Sequence, residues 1–313
     1  MRPRINTDEH GLRIGTLPGV RRNAPLAAFT TFRVGGPADY LLEVSRSSDV
    51  KNALAAARAD GLPVTILGGG SNVLIADAGV RGVVIRVHGG EVAAISSDRI
   101  RADAGLTING LVRWTINRGV AGLEAWAGTP GTVGGAVHGN AHFKGRLIGE
   151  LIESVEVVDR DGAVTRVPVA DMEFGYDRSR LQRTGEILLS ADFRVGQGEP
   201  AALRAVARES LAFRKRTQPL ESASAGCIFQ NPDAAVDRVP DGIPPSAGAL
   251  VDRAGLKGSA EGGARVSPTH GNFIVNDGSA SAADIKRLID RCREQVRARF
   301  GVELRDEIVY LGF

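Results

Sequence analysis

The chain of 313 residues is expected to fold as an α+β protein of two or three domains. Three observations point there. Short apolar runs bounded by turn residues succeed one another over the first two thirds. One long amphipathic stripe lies near the end. Two glycine clusters sit among the short runs, where backbone must turn tightly or approach a ligand closely.

Residues 1–22 show no clear periodicity and are expected to be extended or loosely packed. "DYLLEV" (39–44) reads as a strand. "SSDVKNALAAARADG" (47–61) reads as a helix capped by Ser47 or Ser48 and stopped at Gly61. "PVTIL" (63–67) completes a β-α-β unit that runs into "GGGSN". Strand-like runs follow at 73–76, 82–87 and 92–95. "LTINGLVRWTINRG" (106–119) fits a helix only approximately. The runs 154–159 and 163–169 flank Asp161-Gly162, a hairpin signal. Residues 187–195 read as a closing strand and 196–200 as a linker before a helix over about 200–215. The last helix covers 281–301, with Ser281 and Asp284 as a capping box and Gly301 as the stop. Ile285, Leu288, Ile289, Cys292, Val296 and Phe300 share its apolar stripe, which makes Cys292 a core residue.

Composition removes several classes of function. Hydrophobic residues make up 43% and charged residues 24%, an ordinary globular balance. The 40 glycines cluster and do not recur every third position, which excludes collagen. A net charge of +3 is too small to imply a nucleic-acid or membrane-surface partner. Aromatic residues, at 5%, are too sparse for a base-stacking platform. The two cysteines, Cys227 and Cys292, supply neither a disulfide framework nor a closed zinc site, and no metal is expected. "MRPRINTDEHGLRIG" lacks an apolar signal core, and no run approaches the ~18 apolar residues of a membrane span. A cytoplasmic location is the expectation.

The first glycine cluster, "LGGGSNVLI", lies between two strands. Consecutive glycines let backbone amides face an anion, and Ser71 and Asn72 add side-chain donors. The spacing matches neither a P-loop nor a Rossmann fingerprint. The plain alternative is a glycine-rich turn. The second cluster places Gly128, Gly131, Gly134 and Gly135 beside Thr129, Thr132 and Asn140. Two such loops can clamp the two ends of a pyrophosphate, so a dinucleotide is the natural ligand. Close backbone packing is the competing explanation.

Seven stretches occur in order from about Asn23 to Gly312: "FTTFRVGGPADYLLEV", "ILGGGSNVLIADAGVRGVVI", "GTPGTVGGAVHGNA", "SAGCIFQNP", "AGALVDRAGLKG", "SPTHGNFIVN" and "GVELRDEIVYLG". Together they resemble the UDP-N-acetylenolpyruvoylglucosamine reductases, flavoenzymes that complete UDP-N-acetylmuramate for peptidoglycan. The resemblance implies an FAD-binding fold of the vanillyl-alcohol-oxidase (PCMH) type in two subdomains and a C-terminal α+β substrate-binding domain. The expected division is an N-terminal segment 1–22, subdomains 23–88 and 89–197, and a substrate domain 198–313. The short connection after Ser179 leaves little room for a substrate-covering insertion, as in the shorter, type II branch. By this resemblance FAD is held by Arg33, by Gly68, Gly69, Gly70, Ser71 and Asn72, and by Gly128, Thr129, Gly131, Gly134, Gly135 and Asn140. The remaining partners implied are NADPH and the enolpyruvyl UDP-sugar.

The family reaction reduces an enolpyruvyl double bond, so the protein must orient the flavin, stabilise an enolate and deliver one proton. By the resemblance Cys227 stands where a serine usually gives that proton. A free thiol, with a pKa of about 8.5, is protonated near neutrality and far more acidic than an alcohol. A cysteine hydrolase would need a partnered histidine, for which His270 is the candidate. Glu307 matches the glutamate that steadies the enol. From spacing alone it reads equally as a solvated edge residue. The family arginine belongs to F-G-Y-R-x-S, whereas this chain reads "FGYDRSR". Asp177 holds the strict position, so the arginine is expected at Arg178, with Arg180 as the alternative. Tyr176, Lys215, Asn231, His270 and Asn272 are the expected substrate contacts, and Gln230 replaces the lysine common in "FKNP".

Overall fold

The computed structural model describes residues 12–313. The first part of the N-terminal segment expected to be loose therefore lies outside the described residues. Its later part is tied down. Ile14 is fully buried, and its amide donates to Asp60 Oδ2 at 2.8 Å.

The first sheet has the order Arg21–Pro25, Pro37–Val44, Val80–Val87, Val64–Leu67. Its last three strands are parallel, and the first is antiparallel to its neighbour. The two strands of the β-α-β unit are thus not adjacent, because Val80–Val87 inserts between them. The crossover helix Ser47–Ala59 buries Val50, Ala53, Leu54, Ala56 and Ala57. Its N-cap is Arg46, with no side-chain cap bond, so neither Ser47 nor Ser48 caps it. The first-turn amides of Asp49 and Val50 reach the Arg46 carbonyl instead.

The second sheet is wholly antiparallel, in the order Val164–Pro168, Ile152–Val158, Ile187–Arg194, Arg99–Asp103, Val92–Ala94. The strand Ile187–Arg194 is buried at every position but its last, Ser190 and Asp192 included, because it is the central strand of the five. Asp161-Gly162 turns the expected hairpin, with Gly162 at φ 89°. The segment expected as a linker is partly ordered: Gly196–Gln197 pairs with Val120–Ala121.

Helix Pro200–Thr217 carries the chain to the C-terminal region. There a sheet of Ala260–Glu261, Ala264–Val266 and Ile274–Asn276 packs against helices Ala247–Arg253 and Ala282–Phe300. The last helix has the capping box Ser281/Asp284 and a left-handed Gly301, as expected. Its stripe is buried at Ile285, Leu288, Ile289, Cys292 and Val296. Phe32, Val34 and Leu74 belong to the same apolar cluster, so the C-terminal core closes over residues from the first region. Strand Val309–Leu311 then pairs in parallel with Val73–Ile75, beside the first glycine cluster.

Candidate active site

Two backbone segments bring Cys227 and Glu307 together. The Glu307 amide donates to the Ile228 carbonyl at 2.8 Å, and the Gln230 amide to the Arg305 carbonyl at 2.9 Å. Asn272, buried to 3% exposure, clamps the same stretch. It accepts from the Phe229 amide at 2.9 Å and donates to the Phe229 carbonyl at 2.7 Å. Asn72 of the first glycine cluster donates to the Glu307 carbonyl at 3.0 Å, and its own carbonyl accepts from Val309 at 2.9 Å. The first glycine cluster is therefore bolted directly to the strand that carries the glutamate.

The glycines that were expected to hold FAD form a touching pair of loops. A Cβ on Gly69 would lie 2.6 Å from Gly131 Cα, and one on Gly131 would lie 2.6 Å from Ser71 Oγ. Gly70 and Gly131 also sit at φ +62° and +96°, where side chains are strained. The amides of Gly69, Gly70 and Ser71 donate to no protein group among the described residues. Unspent backbone donors on the first glycine loop, against which the second loop packs, are what an FAD diphosphate needs, so these residues fit the group; on the second loop the amides of Gly128, Thr129, Gly134 and Gly135 are bonded within the protein. Thr129, buried, accepts from Arg214 Nη2 at 2.8 Å, and Gly128 donates to Asn109 at 2.7 Å. Two expected cofactor residues stand elsewhere. Arg33 is exposed and forms no ion pair among the described residues. Asn140 is fully buried and bridges Gly175 and Gly149, at 2.7 and 2.9 Å, so its side chain serves the backbone.

The Gly175–Arg178 turn corrects the expectation for the arginine. It is closed by two backbone bonds between Gly175 and Arg178, of 3.0 and 3.2 Å. Asp177 sits at its tip with φ 51°, a conformation that Asp tolerates better than most residues. The turn points Asp177 inward and leaves Arg178 exposed, folded against Gly175. Arg180 is committed to Glu186 by two bonds of 2.8 and 2.9 Å. Neither arginine joins Cys227 and Glu307.

What joins them is a histidine that the sequence reading passed over. His142 follows the "GNA" of the second glycine cluster, and its Nδ1 lies 3.0 Å from Asp177 Oδ1. The Asp177 side chain is only 9% exposed, and its Oδ2 is buried without a partner. Ligand-capable atoms of His142, Asp177 and Glu307 lie within 4.8 Å of one another. These residue types also bind metals, and this is the group of that kind among the described residues. The Tyr176 ring lies 4.8 Å from the His142 ring, and its hydroxyl accepts from Asn231 at 3.4 Å.

An arginine was also missed, one residue from the expected Lys215. Lys215 is exposed and makes no ion pair among the described residues, whereas Arg214 is buried. Its guanidinium lies 3.8 Å from the Phe143 ring centroid, over its face, and its Nε has no partner.

The electrostatics follow from this crowding. Burial pushes the Glu307 carboxyl up to about 8, helped by Asp177 and opposed by His142. Burial, then the negative charges of Glu307 and Asp177, raise the Cys227 thiol well above its ordinary range. The hydrogen bond to Asp177 raises His142. Burial lowers Arg214 to about 10, still charged at neutral pH. His270 is lowered by burial and accepts from the Asn272 amide at 3.1 Å through Nδ1. That nitrogen is spent on the backbone, which removes the cysteine-hydrolase reading. At neutral pH the site holds a protonated thiol beside a protonated carboxyl.

Comparisons with known proteins identify the family. A model described as "FAD binding domain" matches residues 38–168, and "UDP-N-acetylenolpyruvoylglucosamine reductase, C-terminal domain" matches 218–311. The reductase of Heliobacterium modesticaldum is 38% identical over 291 residues, 92% of this chain and 89% of its own. Reductase 2 of Symbiobacterium thermophilum is 39% identical over 94% of this chain and 93% of its own. The crystal structure of UDP-N-acetylenolpyruvylglucosamine reductase from Thermus caldophilus superposes with a TM-score of 0.75 at 34% identity, covering 93% of this chain and 98% of that one. The chain belongs to the UDP-N-acetylenolpyruvoylglucosamine reductase family of FAD-binding oxidoreductases.

Proposed function

We propose that the protein reduces UDP-N-acetylglucosamine enolpyruvate to UDP-N-acetylmuramate with NADPH, in the cytoplasm, with Cys227 as the proton donor. The observation that carries the reading is the pairing of a half-buried thiol with Glu307, bolted to the glycine loops through Asn72. The sheets over 21–87 and 92–194, and the third over 260–276, support the division into two cofactor subdomains and a substrate domain.

FAD, held by the glycine loops, would supply the hydride, with NADPH as the reductant. The residues supply the rest. The thiol of Cys227 is kept protonated by burial first and by the negative charge of Asp177. It gives its proton to the carbon beside the substrate carboxylate as the terminal vinyl carbon becomes a methyl group. The strong base formed there, an enolate, is what can take a proton from a thiol so raised. Glu307, neutral at pH 7 because its pKa is about 8, donates a hydrogen bond to the enolate oxygen, where charge develops. Arg214 holds positive charge between Thr129 and the site. Tyr176, Asn231 and the exposed Lys215 are proposed to meet the UDP-sugar, while Asn272 and His270 hold the backbone that presents Cys227.

A choice of assay separates this reading from an alcohol or hydroxy-acid oxidase of the same fold. NADPH oxidation that requires the enolpyruvyl UDP-sugar is expected. Flavin reduction by an alcohol with oxygen as acceptor, without NADPH-dependent reduction, would overturn it.

A further inference from the structure

We propose that His142, held by Asp177, is the cation that meets the substrate carboxylate in this enzyme, in the place that the family gives to an arginine. The inference rests on the reduction proposed above and concerns how its charge is managed.

An enolate next to a carboxylate needs fixed positive charge, and a guanidinium fork is suited to it. Here the motif position is Asp177, an anion, which by itself would oppose the reaction. The flanking arginines do not replace the missing charge: Arg178 is exposed and Arg180 is bound to Glu186. Arg214, which also bears on Cys227, is held in place by its bond to Thr129 and by Phe143 beneath its guanidinium. The cation beside Glu307 is His142. Its Nδ1 is fixed by Asp177 at 3.0 Å, which orients the ring and leaves Nε2–H as the free donor. The Tyr176 ring covers one side of it. The two changes make sense only together: a histidine brings the charge, and an aspartate at the tip of the turn holds it.

The charged and titratable groups facing His142 are Asp177, Glu307, Arg214 and Tyr176, with the Cys227 thiol nearby. The Asp177 hydrogen bond favours the imidazolium, while burial and Arg214 oppose it, and the net shift is upward; Glu307 adds to it only once ionised. The positive charge is favoured by the Asp177 contact and is lost as pH rises through the raised pKa. Asp177 is a positioning residue, because it acts through the imidazole. His142 is a catalytic residue, because it touches the substrate.

The test pairs binding with half-reactions. UDP-N-acetylmuramate carries the carboxylate and UDP-N-acetylglucosamine lacks it. By calorimetry, His142→Gln is expected to weaken the former at least tenfold and leave the latter unchanged. In stopped flow, His142→Gln should leave flavin reduction by NADPH intact and slow reoxidation by the enolpyruvyl sugar about 10²–10³-fold, the cost of one lost donor to developing charge. Asp177→Asn should keep the fold but move the alkaline limb of the reoxidation profile to lower pH. Affinities of His142→Gln for both sugars that match those of the wild type, with an unchanged reoxidation rate, would overturn the proposal. So would a divalent ion that copurifies with the wild type and whose removal by chelator abolishes the carboxylate preference. Wild-type enzyme whose reduced flavin ignores the enolpyruvyl sugar would instead overturn the function proposed above.

Discussion

A thiol and a carboxyl packed side by side must settle their protons before either can act. Glu307 is pushed to about 8 by burial and by Asp177, so folding takes up a proton at neutral pH that the unfolded glutamate does not hold. The unfolded pKa is near 4.5. Between that value and about 8, the unfolded chain binds fewer protons, and stability from this residue falls as pH rises. Glu307→Gln removes the penalty. Its melting temperature is expected to exceed that of the wild type by several degrees at pH 8 and to match it at pH 5, measured without cofactor. A difference that is the same at both pH values would show that Glu307 is not the titrating group. Individual residues were legible to very different degrees. Cys292 was placed in the core by helical period alone, and it is 1% exposed. Cys227 and Glu307 stand 80 positions apart, and only the motifs linked them, because a bond between distant backbone segments leaves no periodic trace. His142 was missed although it directly follows a quoted motif. Asp177 was noticed, but as a departure, because the sequence does not reveal which way a turn aims its tip.

Among the elements, those whose ends are set locally were read most faithfully. The helix Ala282–Phe300 has its stop and its capping box where expected. The sequence did not reveal its third cap. Asp77, 205 positions earlier in the chain, accepts from the amides of Ala282 and Ala283 at 2.8 and 2.9 Å. A carboxylate at that end satisfies orphan donors and meets the positive end of the helix dipole. It also fastens the C-terminal core to the loop after Val73–Ile75. Asp77→Ala is expected to cost about 1–2 kcal/mol, read by denaturant melts, and Asp77→Asn less. No change in the unfolding midpoint would mean that the contact carries no stability. By contrast, the strand order of the first sheet was not legible. Parallel partners are chosen by crossover geometry, and an inserted strand such as Val80–Val87 has the same apolar pattern as its neighbours.

The whole molecule places its chemistry where three regions meet. The glycine loops come from the first and second sheets, Cys227 and Glu307 from the C-terminal region, and His142 and Asp177 from the loops of the second region. Strand Val309–Leu311 and the Asn72–Glu307 bond lock these parts in register. No helix among the described residues is long and apolar enough to cross a membrane, and the site is built from three chain regions instead of one cleft within a single sheet. Such an arrangement lets reduction of the flavin and delivery of the proton be separated experimentally, because different residues serve each. Anaerobic stopped flow on Cys227→Ala and Cys227→Ser does so most directly. The flavin is first reduced by NADPH, and the enolpyruvyl UDP-sugar is then added. Reduction should match the wild type in both variants. Reoxidation should fall about 10²–10⁴-fold in Cys227→Ala, the range of a lost general acid, and stay within about tenfold in Cys227→Ser. Reoxidation of Cys227→Ala at the wild-type rate would contradict the assignment of the thiol as the acid.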